Sequence, residues 1–349
     1  MNIYIHFGIY KAGSSYLQYI CANRRNELVD KGIWFPFSVE ERKMKSGSIS
    51  AGNAFNLGEL LKKKDSGKIE AYFIQLKNEA QKKNCQSILL SAESLVHYFA
   101  KSAELEFLSN TLNASGFSKI YALAYFRDLV EHCLSLYKHR SKSGNNPDLE
   151  HWIKEHYETP YVLNDFFLNY RKVDFNWTFN KFRKDSSYML ETFFHNWLNV
   201  RIPNIPDKPR VNESLTLSEV LVIQCFKKYA MNTADAMTAR LLKIKTEDKS
   251  SEQLLESMYK NKIAEQLNSK YRLSVEMWNC HLRPEHKIEI EPSKHFVSQK
   301  VEISISHKQI EEILVSSRFV FGYRGLLFRI RRFLKKLIPN FLFNIFYRK

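Results

Sequence analysis

Apolar and polar positions alternate between two rhythms along the first half of this chain. Residues 3–7 (IYIHF) form a short β-favouring run that ends at Gly8. After a loop, SYLQYICANRRNELVDKG spaces Leu17, Ile20, Cys21 and Leu28 at helical intervals, with Gly32 as a stop signal. IWF, closed by Pro36, reads as a second strand. Strand, glycine loop, helix and strand together predict a βαβ opening. The alternation continues with a helix over Ile69–Lys83, a buried strand over Ser87–Ser91, a helix over Glu104–Asn113, a strand over Lys119–Phe126 and a helix in VEHCLSLYKHR. This order predicts an α/β fold, with a parallel sheet and helices on both of its faces.

Elsewhere the pattern is weaker. Ser38–Asn56 is polar and rich in Gly and Ser, which predicts a surface loop. From about Gly144 to Tyr188 the chain is aromatic and charged, with SGNNPD as a loop and helix-like pieces after it. DSSYMLETFFHNWLN predicts an amphipathic helix, and Leu217–Met231 and Ser251–Tyr271 predict two more. The expected organisation is one α/β domain over 1–321, with helical insertions near 144–200 and 215–275, and a basic tail over 322–349.

Charge narrows the partners. The net charge of +16 points to an anionic partner. Its distribution is uneven: Gly322–Lys349 holds eight Lys and Arg and no Asp or Glu, so half of the excess lies in the tail. The moderate remainder is no footprint for specific nucleic-acid binding. Cys21, Cys85, Cys133, Cys225 and Cys280 are scattered without a C-x-x-C pair, which fits neither a zinc site nor a disulfide framework and suits a reducing compartment. No His or Cys spacing suggests a metal site. Without a basic n-region followed by an apolar run, the N-terminus reads as no signal peptide, and the chain is expected to be cytoplasmic.

The sharpest chemical signal is GIYKAGSS, Gly8 to Ser15. A loop that leaves a buried strand and enters a helix turns successive backbone N–H groups toward an anion, aided by the positive helix end. Gly8 and Gly13 let the backbone turn and approach a ligand closely. Ser14 and Ser15 offer hydroxyls as well as amides, and Lys11 adds a mobile charge. In the nucleotide-hydrolysing loop G-x-x-x-x-G-K-[ST], the Ser or Thr after the lysine ligates magnesium. Here Lys11 precedes Gly13, so that arrangement is missing.

HFGIYKAGSSYLQ resembles the 5′-phosphosulfate loop of sulfotransferases that use 3′-phosphoadenosine 5′-phosphosulfate (PAPS), in particular the bacterial and glycan-modifying branches, with Ala12 in place of a Thr or Ser. The family's second element is a strand leading to an arginine, with a serine eight residues on. AYFRDLVEHCLSLYKH supplies Arg127 and Ser135 in that spacing. RVNESLTLSEVLVI is similar to a stretch of bacterial members, in which Arg210 would help to hold the 3′-phosphate or adenine; Asn212 or Ser214 reads equally as a helix cap. The resemblance is concentrated in residues 1–36 and 87–140.

It implies a P-loop-like three-layer core and transfer of a sulfuryl group from PAPS, without a metal, to a hydroxyl or amine of a carbohydrate. It also implies roles. Lys11 would neutralise the leaving phosphate, Gly8, Ala12, Gly13, Ser14 and Ser15 would shape and hold the 5′-phosphate, and Arg127 and Ser135 would bind the 3′-phosphate. Glu93, just after the strand of Ser87–Ser91, is the candidate general base, or a first-turn glutamate complementing the next helix dipole. His6 would orient Lys11 or contact the acceptor, or serve as a core histidine; His97 is a spare candidate. Trp, Tyr and Phe between 152 and 197 could stack on sugar rings or fill the core.

The tail repeats Leu326, Leu327, Ile330, Phe333, Leu334, Leu337, Ile338 and Phe341 at helical spacing, opposite a basic face. It reads as an amphipathic anchor for an anionic membrane surface, or as a terminal helix packed on the domain. Two rival functions remain on the sequence: a nucleotide kinase or phosphotransferase on the same core, and a non-catalytic basic module that binds membrane through the tail.

Overall fold

The first apolar run is the centre of the sheet. In the computed structural model, which describes residues 1–63, 65–93, 95–143, 147–202, 215–229, 241, 250–292 and 309, β1 (Asn2–Phe7) leads into α1 (Ser14–Asn23) and α2 (Arg25–Asp30). There follow β2 (Ile33–Trp34), α3 (Glu41–Ser46), α4 (Phe55–Lys62), α5 (Ser66–Lys82), β3 (Ser87–Ala92), α6 (Leu95–Phe99) and α7 (Ser102–Ala114). Next come β4 (Lys119–Phe126), α8 (Leu129–Arg140), α9 (Leu149–Glu155), α10 (Thr159–Asn169), β5 (Asn176–Lys181) and α11 (Ser186–Leu190), the last continued by a π-helical turn over Glu191–Trp197. α12 (Leu217–Tyr229) and α13 (Ser250–Asn279) complete the helices named here.

The strands pair in the order β2-β3-β1-β4-β5, and every pairing is parallel. Parallel strands flanked by helices are buried on both faces, so their sequences run apolar without alternation. Ile88, Leu89 and Leu90 of β3 and Ala122–Phe126 of β4 are fully buried, as that rule requires. The α/β expectation holds for the described chain.

Two sequence expectations are corrected. β2 is only two residues long and covers only the start of β3, pairing with Ser87 and Ile88. The polar stretch 38–56 does the rest. Asn53 donates its amide to the Leu89 carbonyl (2.9 Å) and accepts from the Ser91 amide (2.7 Å), and Gly52 bridges Ala92. Within a segment that reads as a surface loop, and that is largely exposed, Gly52–Ala54 thus form a buried edge brace, because β3 needs its backbone groups satisfied. The second correction is β5. It lies within the stretch expected to be helical, and its NWTFNK sequence mixes aromatics with Asn and Lys, which are depleted in strands. The expected insertion near 144–200 thus supplies a strand of the sheet.

The aromatic residues after 152 pack on that strand. Phe126, Phe166, Phe167, Tyr170, Trp177 and Phe179 meet with ring centroids 5.0–6.2 Å apart, mostly edge-on or tilted. Phe126, Phe166, Phe167 and Tyr170 are buried core, while Trp177 and Phe179 are half-buried and line a cleft along β5; such ring pairs are worth about 0.5–1.5 kcal/mol each beyond burial.

The chain divides into two compact units. The first is Met1–Leu136 with Leu149–Glu213 and Tyr259–Lys294, and it contains the whole sheet. The second is Tyr137–Asp148 with Ser214–Met258 and His295–Lys349. Within the second, Thr216 and Glu219 form a reciprocal cap at the start of α12: Glu219 accepts from the Thr216 amide (2.7 Å) and Thr216 Oγ1 from the Glu219 amide (3.2 Å). Thr216 takes the capping role; Asn212, Ser214 and Arg210 lie outside the described residues, as does the tail 322–349. Among the described residues, no helix is long and apolar enough to cross a membrane.

Candidate functional site

The connection leaving β1 runs toward β2 and the one leaving β4 runs toward β5, on opposite sides of the sheet. In open α/β sheets such a reversal opens a crevice beyond the carboxyl ends of the strands concerned. Gly8–Ser15 follows β1 and Arg127–Ser135 follows β4, so both sequence motifs belong to neighbouring strand ends.

The loop is shaped by close approach. Gly8 donates its amide to the Ala92 carbonyl (2.9 Å), and a Cβ there would stand 2.5 Å from that oxygen, 2.7 Å from Glu93 Cα and 2.7 Å from Ser14 Oγ. Only glycine fits. Ala12 is buried and closes a turn onto the Ile9 carbonyl (3.3 Å). Lys11 is left-handed at φ 61°, as is Gly13 at φ 85°. For lysine this conformation costs about 1–2 kcal/mol, so contacts must hold it.

Those contacts come from the flanking strands. The Lys11 amide donates to Glu93 Oε1 (3.4 Å) at the end of β3, and Arg127 Nη1 donates to the Lys11 carbonyl (3.0 Å) from the end of β4. Lys11, Glu93 and Arg127, all candidates on the sequence, meet at the backbone of one residue, Lys11. Gly13 is covered by Phe182, whose ring a Cβ would approach to 2.8 Å; the Arg127 guanidinium lies 5.3 Å from the same ring centroid. Burial lowers the Arg127 pKa, opposed by the Glu131 carboxylate, and the group stays charged at neutral pH.

α1 starts at Ser14 with no side-chain cap; the Tyr16 and Leu17 amides close onto the Gly13 carbonyl (3.1 and 3.3 Å), which leaves those of Ser14 and Ser15 outside the helical bonds. Ser14 is buried and its Oγ finds no hydrogen-bond partner. Leaving a buried hydroxyl unmatched costs about 1–3 kcal/mol. Ser15 is half-buried beside it. A phosphate-type oxyanion would satisfy the hydroxyl and the helix-end amides together.

Under the loop stands His132. Its Nε2 lies 2.8 Å from the Tyr10 carbonyl, which only accepts, so Nε2 carries the proton and Nδ1 takes the Tyr157 hydroxyl (2.9 Å). Burial, with Arg127 nearby, pulls its pKa down to about 3. The Tyr10 ring packs against His97, with centroids 4.7 Å apart. Ser135 is half-buried, two turns along α8 from Arg127.

His6 is corrected. Strand alternation turns it onto the Tyr4 face of β1, where it is fully buried against Tyr125 and Phe193, with Nδ1 2.9 Å from Ser91 Oγ. Burial takes its pKa to about 3. It is a neutral core group bonded to Ser91 through Nδ1, with Nε2 buried and without a hydrogen-bond partner.

Sequence reasoning missed Glu131. It accepts from Arg127 Nη2 (3.1 Å) and lies 2.5 Å from Lys260 Nζ and 3.8 Å from Lys184 Nζ. Burial alone would raise its pKa; the hydrogen bond and charge of Lys260, with Lys184 and Arg127, hold it at about 2. The signal was present, since Glu131 is one helical turn from Arg127. Nothing in the sequence links Lys260 to either.

A separate cleft of about 480 Å³ runs along the outer edge of β5, lined among others by Asn180, Tyr188, Glu191, Arg283 and Glu285. Among the described residues, no group of three or more His, Cys, Asp or Glu could hold a metal ion. Comparison of the chain with protein-family models, with curated proteins and with solved structures finds no match.

Proposed function

We propose that this chain is a sulfotransferase on a P-loop-like core, moving a sulfuryl group from PAPS to a hydroxyl or amine of a carbohydrate. The observation that carries the reading is the buried, unpartnered Ser14 hydroxyl beneath a loop bent by left-handed Lys11 and Gly13. Such a loop costs stability when empty and returns it on binding an oxyanion, a common arrangement at binding sites. The hydroxyls of Ser14 and Ser15 and the amides of Gly13, Ser14 and Ser15 would hold the 5′-phosphate. Lys11 would meet the charge that develops on the leaving phosphate, as electrostatic stabilisation of group transfer requires. Arg127 and Ser135 would take the 3′-phosphate.

Glu93 has a structural task in holding the Lys11 amide, and it would also serve as the base that takes the acceptor's proton. The cleft beside β5 offers carboxylates, an amide and a guanidinium, groups that pair with ring hydroxyls, and Tyr188 as an apolar face. The basic tail would keep the protein at the inner face of the cytoplasmic membrane.

Calorimetry on the full chain with 3′-phosphoadenosine 5′-phosphate tests the reading. Binding that is lost in Lys11→Ala is expected. Preference for ATP with magnesium would favour a phosphotransferase; binding to anionic vesicles alone, untouched by Lys11→Ala, would favour a membrane module.

A further inference from the structure

The segment from Arg127 into α8 carries more than the two residues its motif requires. Arg127 just precedes the helix, and Glu131 and Ser135 follow on it at four-residue intervals, so Glu131 falls between them in sequence. An anion that takes the Arg127 Nη2 donor has to replace the Glu131 carboxylate now on it. That carboxylate is over-matched. Arg127 from the end of β4, Lys184 from the segment after β5 and Lys260 from α13 all converge on it. Three cations against one carboxylate leave a local charge of +2 (three positive, one negative). The neighbouring carboxylate Asp128 pairs at 2.8 Å with Lys181, which Glu289 shares, and offsets part of the Arg127 charge.

We propose that Arg127, Lys184 and Lys260 form a three-cation cradle for a phosphate monoester, and that Glu131 is the protein's own stand-in for that ligand. A phosphate monoester carries about −1.5 to −2 at neutral pH, which matches the unbalanced charge better than a carboxylate does. Arg127 is built for the exchange: Nη1 stays on the Lys11 carbonyl while Nη2 changes partner from Glu131 to the ligand. Lys184 is 79% exposed and Lys260 23%, so one is a mobile arm and the other a fixed post. Because the cradle is self-occupied, the ligand must displace Glu131, and its apparent affinity is reduced by the fraction of molecules in which the carboxylate is away. The identity of the ligand as the 3′-phosphate of the donor rests on the sulfotransferase reading; the cradle itself does not.

The test is calorimetry on the full chain with 3′-phosphoadenosine 5′-phosphate and with adenosine 5′-phosphate, for the native protein, Glu131→Gln, and Glu131→Gln combined with Lys260→Ala. Glu131→Gln keeps the shape of the side chain and removes the competing charge. It is expected to bind the bisphosphate about tenfold more tightly, with the monophosphate unchanged, and the added Lys260→Ala should abolish the gain. Lys184→Ala, at an exposed position, should weaken bisphosphate binding about threefold without altering the unfolding midpoint. Unchanged or weaker bisphosphate binding in Glu131→Gln, or an equal gain for both nucleotides, overturns the cradle while leaving the sulfotransferase reading intact. If the native protein binds neither nucleotide, that reading fails and inorganic phosphate becomes the probe. Line broadening of its phosphorus resonance by Glu131→Gln beyond that by the native chain would then support the cradle, and equal broadening would sink it.

Discussion

The two neighbouring strand ends that we propose take an anion are built of opposite materials. The loop after β1 is made of backbone and carries an unpartnered hydroxyl on Ser14. The segment after β4 is made of charged side chains, and its own Glu131 already neutralises part of it. The difference follows from electrostatics. Amides and a helix end present partial charges, so an empty loop costs about one unmatched hydroxyl. Converging guanidinium and ammonium groups repel strongly in a half-buried setting, so an empty cluster needs a counter-ion supplied by the chain. Backbone sites can wait empty; side-chain sites have to be plugged.

Both strand ends also rest on a buried neutral histidine, His6 in β1 and His132 under the loop, each with its pKa lowered to about 3. Since both folded values lie below the ordinary 6.5, the unfolded chain takes up protons first as pH falls. Stability is then intact above about 6.5 and declines down to about 3, by about 1.4 kcal/mol per pH unit for each histidine. Urea unfolding at pH 7 and pH 4.5 is expected to differ by about 5 kcal/mol. His132→Gln, which can still donate to the Tyr10 carbonyl, should remove close to half of that slope. An unchanged slope would show that His132 is protonated in the fold.

Next in size is Gly8→Ala, which confronts a new Cβ with the Ala92 carbonyl and Glu93 Cα, backbone atoms that cannot swing aside. Overpacking of this kind costs about 1–3 kcal/mol. The backbone-built site should lose oxyanion binding entirely, while far-ultraviolet dichroism keeps its helical signal. Retained affinity for 3′-phosphoadenosine 5′-phosphate would mean that the loop is not the anchor. At the other strand end, Arg127→Met removes both the grip on the Lys11 carbonyl and the partner of Glu131. A loss of about 2 kcal/mol is expected, since hydrogen bonds to charged groups are worth about 1.5–3 kcal/mol each and Glu131 retains Lys260.

What could be read from the sequence divides along the same line. β1, β3 and β4 were legible because parallel strands buried on both faces are unbroken apolar runs, and the loop because Gly8 and Gly13 punctuate a strand-to-helix turn. Arg127 was legible through spacing. β5 was not, because an edge strand needs no apolar run, and NWTFNK owes its conformation to the aromatic cluster it joins. The brace at Asn53 was hidden for a related reason: its amide answers to the shortness of β2, a property of another segment. Glu131 could be read as a neighbour of Arg127, but its meaning depends on Lys260, brought from far along the chain by folding alone.

The smallest expected effect is the most discriminating. Lys11 holds a left-handed conformation that glycine adopts freely, at a cost of about 1–2 kcal/mol for a side-chain-bearing residue. Glycine in its place surrenders about 0.5–1 kcal/mol of chain entropy. Lys11→Gly should therefore stabilise the fold slightly, by about 0.5–1 kcal/mol, with the Glu93 and Arg127 bonds to the peptide preserved because they use backbone atoms. If the lysine is there for its charge, the same variant loses bisphosphate binding while its unfolding midpoint rises. A midpoint that falls instead would mean that the Lys11 side chain stabilises the empty loop. The contrast between a backbone site that waits and a side-chain site that is plugged would then have to be redrawn.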